Sequence, residues 1–264
     1  MDLRPVGIFD SGLGGLTAVR ELRRLLPAED IVYFGDTARV PYGGRSVEEL
    51  EGIALDDTRF LLSHGVKAIL VACGTVSSNC LGAVSRASRL PVTGVVVPAA
   101  REAVQATKIG RVGVLATMAT ARSGAFAREI AAMEPGIEVV TEGTGELVPL
   151  VESGRTSLGD GGVRAALERC LRPFAGGAVD TLILGCTHYP LLGEAIAGLL
   201  GPGVTLIDTG AAGARELACL LREAGIACNA RRIGALELHA SGDAEEFERL
   251  AEVFLGAPQR GCGI

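Results

Sequence analysis

Two thiols are the residues in this sequence best placed to do chemistry. Cys73 follows the apolar run Ala68-Ile-Leu-Val-Ala72, and Cys186 follows the similar run Thr181-Leu-Ile-Leu-Gly185. Unbroken apolar runs of this kind are typical of strands buried on both faces of a parallel sheet. A helical pattern follows each run, so each cysteine falls at a strand end, where ligands bind in open α/β sheets. One thiol in each half of the chain predicts a single site between two facing halves.

The chemistry that two opposed thiols can do is proton transfer. A thiol has a pKa of about 8.5, so it can accept a proton as thiolate and return one near neutral pH. We expect a helix N-terminus behind each cysteine to favour the thiolate, and its amides, with the Thr75 and Thr187 hydroxyls, to bind a carboxylate. Acid/base groups on opposite faces of one carbon are what a racemase or epimerase needs.

The two cysteines, the nearby histidine and the lysines have alternative roles. A cysteine after a buried strand is most often a small core residue, although two in matched contexts favour catalysis. Cys186 and His188 could be metal ligands, but the sequence offers no companion pair, and we predict no metal. Lys67 and Lys108 both precede strands, at the end of the sheet away from the cleft, so pyridoxal phosphate is not expected and no cofactor is predicted. The remaining cysteines are interpreted as bystanders: Cys80, Cys170, Cys219, Cys228 and Cys262.

Several polar residues are placed to assist the thiols. Asp10 ends the first apolar strand, where a carboxylate suits an ammonium group or a proton; its alternative role is a helix cap. The glycines that follow do not form a dinucleotide loop, because Thr17 stands where the third glycine is needed. His188 could orient or share a proton with Cys186, with Glu152 as its hypothetical partner, or pack under the loop. His64 is explained by a helix end and lies outside this group.

A weak internal repeat predicts the fold. Val6-Gly-Ile-Phe-Asp10 and Val112-Gly-Val-Leu-Ala116 are similar, and each is followed later by a cysteine strand. We predict an α/β protein of two similar doubly wound half-domains with parallel sheets, related by a pseudo-twofold axis, with the site in the cleft between them. The first domain would comprise residues 1–97 and 208–264, and the second residues 98–207.

Local patterns predict the individual elements. We expect a helix over residues 77–89 and a strand over 93–97, with Pro98 opening the next helix. Strands are also predicted over 137–140 and 233–238, and Ser46 with Glu49 predicts a capping box. The loop Pro41-Tyr42-Gly43-Gly44 follows the second strand and brings amides and a phenol to the cleft, unless it is a plain turn.

Composition restricts the class of protein and its partners. The chain has 264 residues, of which 48% are hydrophobic, and a net charge of -6, as expected for a globular protein without a nucleic-acid or anionic-membrane surface. No leader or membrane span is recognised. The seven scattered cysteines indicate reduced thiols, so we expect a cytoplasmic protein.

Taken together, four motifs resemble the aspartate/glutamate racemase family, and in particular its glutamate racemases. They are Phe9-Asp-Ser-Gly-Leu-Gly-Gly-Leu16, Gly35-Asp-Thr-Ala-Arg-Val-Pro-Tyr-Gly43, Ala72-Cys-Gly-Thr75 and Gly185-Cys-Thr-His-Tyr-Pro-Leu191. The resemblance implies a cofactor-independent, two-base interconversion of L- and D-glutamate that supplies D-glutamate for peptidoglycan in a bacterial cytoplasm. The small-molecule partner would be glutamate, and a homodimer is also considered.

The resemblance also implies site residues. Cys73 and Cys186 would be the acid/base pair, assisted by Asp10, His188 and Glu152. The substrate would be held by a larger set: Asp10, Ser11, Pro41, Tyr42, Gly43, Gly74, Thr75, Thr117, Thr120 and Thr187. Gly74 departs from the family, in which many members have Asn, so the substrate is less firmly implied than the reaction. The rival hypotheses are a racemase for another amino or dicarboxylic acid and a regulatory binding protein without activity.

Overall fold

A computed structural model describes residues 2–255 of the chain, which build two parallel sheets with helices packed on them. The strands are β1 (Val6–Asp10), β2 (Ile31–Gly35), β3 (Ala68–Val71), β4 (Val92–Thr93), β5 (Arg111–Ala116), β6 (Glu138–Gly143), β7 (Thr181–Gly185), β8 (Thr205–Asp208) and β9 (Leu236–Ala240). The helices are α1 (Leu16–Leu25), α2 (Val47–Ser63), α3 (Gly74–Asn79), α4 (Leu81–Ser88), α5 (Val96–Ala106), α6 (Met118–Ser123), α7 (Ala125–Met133), α8 (Leu147–Glu152), α9 (Gly161–Leu171), α10 (Gly193–Leu200), α11 (Thr209–Glu223) and α12 (Ala244–Leu255). None of these helices combines the length and apolar character needed to cross a bilayer.

The two sheets repeat one strand order, which confirms the predicted fold class. The first sheet runs β4-β3-β1-β2-β9, and the second, read in the same direction, runs β8-β7-β5-β6. The two Val-Gly strands, β1 and β5, therefore correspond, as do the cysteine strands β3 and β7. Every residue of β1, β2, β3 and β7 is buried, as continuous apolar runs predict for parallel strands covered on both faces.

The largest error in the predicted elements lies at Val95, Val96 and Val97. The expected strand over 93–97 pairs with β3 only at Val92 and Thr93, and α5 begins at Val96, so Pro98 lies within its first turn. The Val95 amide donates to the Ser77 hydroxyl at 2.9 Å instead of to a neighbouring strand. Tertiary burial of Val95 and Val96 outweighs the strand preference of valine here.

Smaller differences concern where elements begin and end. The helix predicted over 77–89 is two helices, α3 and α4, because the backbone at Cys80 leaves the helical region. The strands predicted over 137–140 and 233–238 lie further along the chain as β6 and β9. The capping box of Ser46 and Glu49 is confirmed at the start of α2.

The two sheets share apolar packing. One cluster of buried side chains contains residues of the first sheet and its helices, such as Leu70, together with residues of the second, such as Leu182. The helix α11, which follows the last strand of the second sheet, packs against both α1 and α5. The division into 1–97 with 208–264 and 98–207 stays a proposal, and residues 256–264, including Cys262, lie outside the described residues.

Candidate active site

A cavity of about 530 Å³ lies where the carboxyl ends of the two sheets face each other, and both Cys73 and Cys186 line it. The predicted site residues that line the cavity are Ser11, Pro41, Tyr42, Gly43, Cys73, Gly74, Thr75, Thr117, Glu152, Cys186, Thr187 and His188. Asp10 and Thr120 lie behind this wall. The topology therefore brings one thiol from each half of the chain to a single space of a size typical of small-molecule sites.

Cys73 is held as a protonated thiol. It caps α3, its side chain is 4% exposed, and the Ser11 hydroxyl hydrogen-bonds to it. Burial and then the negative charge of Asp10 raise the pKa of Cys73 to about 12. The amide of Val76 in the first turn of α3 does lower the pKa of Cys73, as expected of a helix N-terminus, but desolvation and the nearby carboxylate outweigh it.

Cys186 has a different environment. A 3-10 turn over Tyr189–Leu192 follows it, so no α-helix begins directly behind this thiol. Instead, Nδ1 of His188 lies 3.7 Å from its Sγ, and Nε2 of His188 lies 3.1 Å from Oε1 of Glu152. Burial alone would lower the pKa of His188, but the hydrogen bonds with Cys186 and Glu152 outweigh it and raise that pKa to about 10. The imidazole of His188 is therefore protonated and lies next to the sulfur of Cys186.

Asp10 lies beneath the site and is fully buried. Its Oδ2 accepts from the amides of Gly12 and Gly15 at 3.3 and 3.0 Å and from the Thr187 hydroxyl at 3.5 Å. Its Oδ1 has no hydrogen-bond partner among the described residues. Asp10 therefore fixes the glycine loop before α1, but it is not the cap of that helix, because the N-cap is Gly15 and no side chain caps it. Its negative charge acts on Cys73 and His188.

Hydroxyl groups supply the side-chain donors of the cavity. The Thr75 and Thr117 hydroxyls lie 3.1 Å apart and join the two halves of the chain. Thr117 also hydrogen-bonds to Thr120 at 3.0 Å, so Thr120 supports the wall from behind. The part of the lining that the structure describes contains no lysine or arginine. An anionic substrate would therefore be held by hydroxyls and backbone amides.

Two glycines let the halves approach closely. A Cβ added at Gly74 would lie 2.6 Å from the carbonyl oxygen of Gly185, and one at Gly14 would lie 2.2 Å from Oγ1 of Thr187. Any side chain at position 74 would therefore require the backbone at Gly74 or Gly185 to shift.

Sequence reasoning missed part of the cavity wall. The additional lining residues are Val40, Met118, Thr144, Gly145, Val148, Pro149 and Gly185, while Gly44 belongs to the loop predicted to face the cleft. Val148 and Pro149 belong to α8, the helix that also carries Glu152. Their apolar side chains resemble ordinary core residues in sequence, so no local signal separates them from the hydrophobic core.

A buried ionic cluster, also missed, lies behind Tyr42. The Tyr42 hydroxyl donates to Asp36 and lies 3.3 Å from Asp57, and the Arg39 guanidinium lies 2.6 and 2.7 Å from the two carboxylates. Ser241 donates to Asp36 at 2.7 Å. Burial, the Asp57 charge and the bond to Asp36 raise the pKa of Tyr42, which keeps the phenol protonated. The cluster fixes the loop that lines the cavity.

A signal for this cluster exists in the sequence. Asp57 falls between Ile53 and Leu61 on the apolar face of α2, where a carboxylate needs a partner. Burial and the charge of Asp36 raise the pKa of Asp57 to about 8, against the opposing effect of Arg39. Asp57 therefore holds a proton in the folded protein near neutral pH.

Asp57→Asn is expected to flatten the dependence of stability on pH. The folded pKa of about 8 lies above the ordinary value of 3.8. The stabilisation from this proton is therefore full below about pH 3.8, declines as the pH rises and is lost above about pH 8. Between pH 6 and 8 the wild-type protein should lose about 2 kcal/mol more unfolding free energy than the variant, as measured by urea denaturation. Asp56→Asn, at the half-exposed neighbour that also pairs with Arg39, is the control and should keep most of the wild-type slope, because its charge is the smallest of the contributions that raise the pKa of Asp57. Equal slopes for wild type and Asp57→Asn would contradict the assignment.

Comparison with known proteins extends over nearly the whole chain. The sequence profile described as Asp/Glu/Hydantoin racemase matches residues 14–217. A glutamate racemase of Exiguobacterium sibiricum is 42% identical over 255 residues, which cover 97% of this chain and 93% of that protein. The crystal structure of glutamate racemase from Francisella tularensis in complex with D-glutamate has a TM-score of 0.89 at 36% identity, covering 97% of this chain and 94% of that one. Glutamate racemase from Thermus thermophilus in complex with β-chloro-D-alanine gives 0.86 at 41% identity, with 97% and 94% covered.

Proposed function

The chain belongs to the Asp/Glu/Hydantoin racemase family, and from this premise we propose that it is a glutamate racemase, which interconverts L- and D-glutamate without a cofactor. The observation that carries the proposal is the pair of thiols, Cys73 and Cys186, which come from equivalent strands of the two sheets and line one cavity. Neither Lys67 nor Lys108 lines this cavity, so neither amine is placed to act on a substrate there.

The proposed reaction moves two protons at one carbon. One sulfur, as thiolate, removes the hydrogen from Cα of glutamate as a proton and leaves a planar carbanion. The other sulfur, as thiol, donates its proton to the opposite face, so the configuration inverts and the charges of the two sulfurs exchange. The high pKa of Cys73 makes it the thiol that holds its proton at rest, and the protonated His188 lies with Nδ1 3.7 Å from Sγ of Cys186.

The donors of the cavity suit the substrate. We assign the glutamate carboxylates to the hydroxyls of Thr75, Thr117 and Thr187 and to amides of the loop that carries Tyr42. Asp10 assists through its contact with Thr187 and its charge beneath Cys73. The remaining predicted site residues, Ser11, Pro41, Gly43, Gly74 and Thr120, shape or support the wall.

The test of the function is incubation with L-glutamate in heavy water, with the Cα proton followed by NMR and optical rotation recorded together. Deuterium should appear at Cα as optical activity is lost. Parallel incubations with aspartate and other amino and dicarboxylic acids separate the rival substrates. Racemisation of another acid with glutamate untouched would refute the substrate, and binding of glutamate without exchange would favour the regulatory binding protein.

Glu152→Gln is expected to move the alkaline limb of the pH profile. The neutral amide removes a partner that raises the pKa of His188, so the imidazole should lose its proton below about pH 10. Because the Glu152 side chain is 40% exposed, solvent screening limits the effect, and kcat/KM should fall only about two- to fivefold. The measurement is kcat/KM from pH 7 to 10.5.

Glu168→Gln, at an exposed carboxylate of the same half paired with Arg164, is the matched control. An unshifted limb would argue against a coupling of Glu152 to His188.

The cellular setting is also part of the proposal. We place the reaction in a bacterial cytoplasm, where the D-glutamate would enter peptidoglycan, with no nucleic acid or membrane as partner. The net charge of -6 supports the expectation that neither nucleic acid nor an anionic membrane is a partner. The homodimer stays a prediction, to be measured by sedimentation equilibrium with and without glutamate.

A further inference from the structure

Three potential metal ligands meet on the first sheet, away from the catalytic cavity. His64 is the C-cap of α2, and Glu237 and His239 lie two residues apart on the edge strand β9. One ligand atom of each residue lies within 4.8 Å of the others. Within residues 2–255, these three form the group of His, Cys, Asp or Glu side chains that lie close enough together to hold one metal ion. Glu237 and His239 share one face of β9, because side chains alternate along a strand.

The hydrogen bonding of His64 suits a metal ligand. Its Nδ1 lies 2.9 Å from the carbonyl oxygen of Phe60, which can only accept a hydrogen bond. The neutral ring therefore carries its proton on Nδ1 and keeps the lone pair on Nε2. Metal-binding histidines usually donate their second nitrogen in this way, because the bond fixes the tautomer and the ring orientation.

His239 has a nitrogen that the described residues leave without a hydrogen bond. Its Nε2 is buried, lies 3.6 Å from Oε2 of Glu237 and has no hydrogen-bond partner. Phe60 contacts both imidazoles, with ring centroids 4.4 Å from His64 and 5.2 Å from His239, and so holds them 4.9 Å apart. A buried ring nitrogen of this kind needs a hydrogen-bond partner or an ion.

We propose that His64, Glu237 and His239 form a site for a divalent transition-metal ion of the zinc class. Two imidazoles and one carboxylate are a donor set that zinc accepts, and water would complete the tetrahedron. Metal bonds of about 2.0–2.1 Å require the ligand atoms to move closer together than they lie here. The side chain of Glu237 is 61% exposed and borders a cavity of about 230 Å³ with His64, so it has room to turn toward the ion.

The ion would join the end of α2 to the edge strand of the sheet. These elements are far apart in sequence, and among residues 2–255 the strand β9 pairs with β2 alone. Because the ion binds the folded chain, it would stabilise the fold, and the free energy of unfolding would rise with the logarithm of the ion concentration relative to its dissociation constant. The site serves stability and is independent of the proposed racemase activity.

The test uses Co²⁺ as the probe, followed by Zn²⁺. Co²⁺ bound by imidazole and carboxylate gives visible absorption without the intense near-ultraviolet band of sulfur ligation. One equivalent of Co²⁺ should bind the full chain in this way, and Zn²⁺ should raise Tm. His64→Gln, His239→Gln and Glu237→Gln should each weaken binding at least tenfold and remove the shift in Tm. Glu237→Gln changes an exposed side chain, so this variant is expected to fold like the wild-type protein.

His188→Gln is the control, because it alters the only other histidine of the chain and leaves the proposed site intact. It should bind Co²⁺ like the wild-type protein. Unchanged binding in the three site variants, a sulfur band, loss of binding in His188→Gln, or no binding at millimolar Co²⁺ and Zn²⁺ would each overturn the proposal.

Discussion

Cys73→Ala and Cys186→Ala are each expected to lower the kcat for racemisation by about 10³- to 10⁴-fold, because each removes one of two acid/base groups that act in sequence on the same carbon. Both directions of the reaction need both sulfurs, so the losses from L- and from D-glutamate should be similar. The measurement is initial rates by optical rotation, with each enantiomer as substrate.

Two other buried thiols provide matched controls. Cys80 lies between α3 and α4 in the first half, and Cys170 lies in α9 of the second, and neither borders the cavity. Cys80→Ala and Cys170→Ala should keep the wild-type kcat within about threefold, since they lose only a small buried group. If racemase activity remains near the wild-type level without Cys73 or Cys186, or falls equally in the two control variants, the two-thiol mechanism is refuted.

Lys67→Met is expected to lower the free energy of unfolding by about 3–5 kcal/mol, because it leaves Glu29 as an uncompensated buried charge. Lys67 Nζ lies 2.7 Å from Oε2 of Glu29, and the two side chains are 0% and 1% exposed. Nζ donates to the carbonyl oxygens of Asp2 at 2.7 Å and Ile226 at 2.9 Å, so one ammonium group ties two distant segments to β3. Urea denaturation measures the loss.

The double variant Lys67→Met with Glu29→Gln separates charge from packing. Gln at position 29 keeps an oxygen for the Cys228 amide, which donates to Oε1 of Glu29 at 2.6 Å, and removes the buried negative charge. The double variant should therefore regain at least half of the lost stability. If the single variant loses less than about 1 kcal/mol, the ion pair does not contribute as proposed.

Much of the architecture could be predicted from sequence, because parallel strands buried on both faces require continuous apolar runs. The two runs before Cys73 and Cys186 and the two Val-Gly strands identified four of the central strands. Their order along the chain also predicted the repeated topology. The run Val95-Val-Val97 shows where this reasoning fails, since a local apolar pattern does not distinguish a buried strand from a buried helix.

The contacts of the cavity could be predicted only in part. The motifs placed Cys73, Cys186 and His188 at strand ends, and these residues do line one space. The apolar wall from Val148 and Pro149, and the cluster of Asp36, Arg39 and Asp57, come from elements that meet only in the folded chain.

The sequence by itself determined the class of fold, the strand ends that carry the thiols and the family, because backbone periodicity and short motifs depend on residues close together along the chain. Only the tertiary structure decided the protonation of the site. Burial and the charge of Asp10 hold the proton on Cys73, and Glu152 and Cys186 hold one on His188. The tertiary structure also brings the imidazole rings of His64 and His239 together, with their centroids 4.9 Å apart. Protonation and ligand sets depend on desolvation and on charges a few ångströms away in space, which residue spacing along the chain does not record.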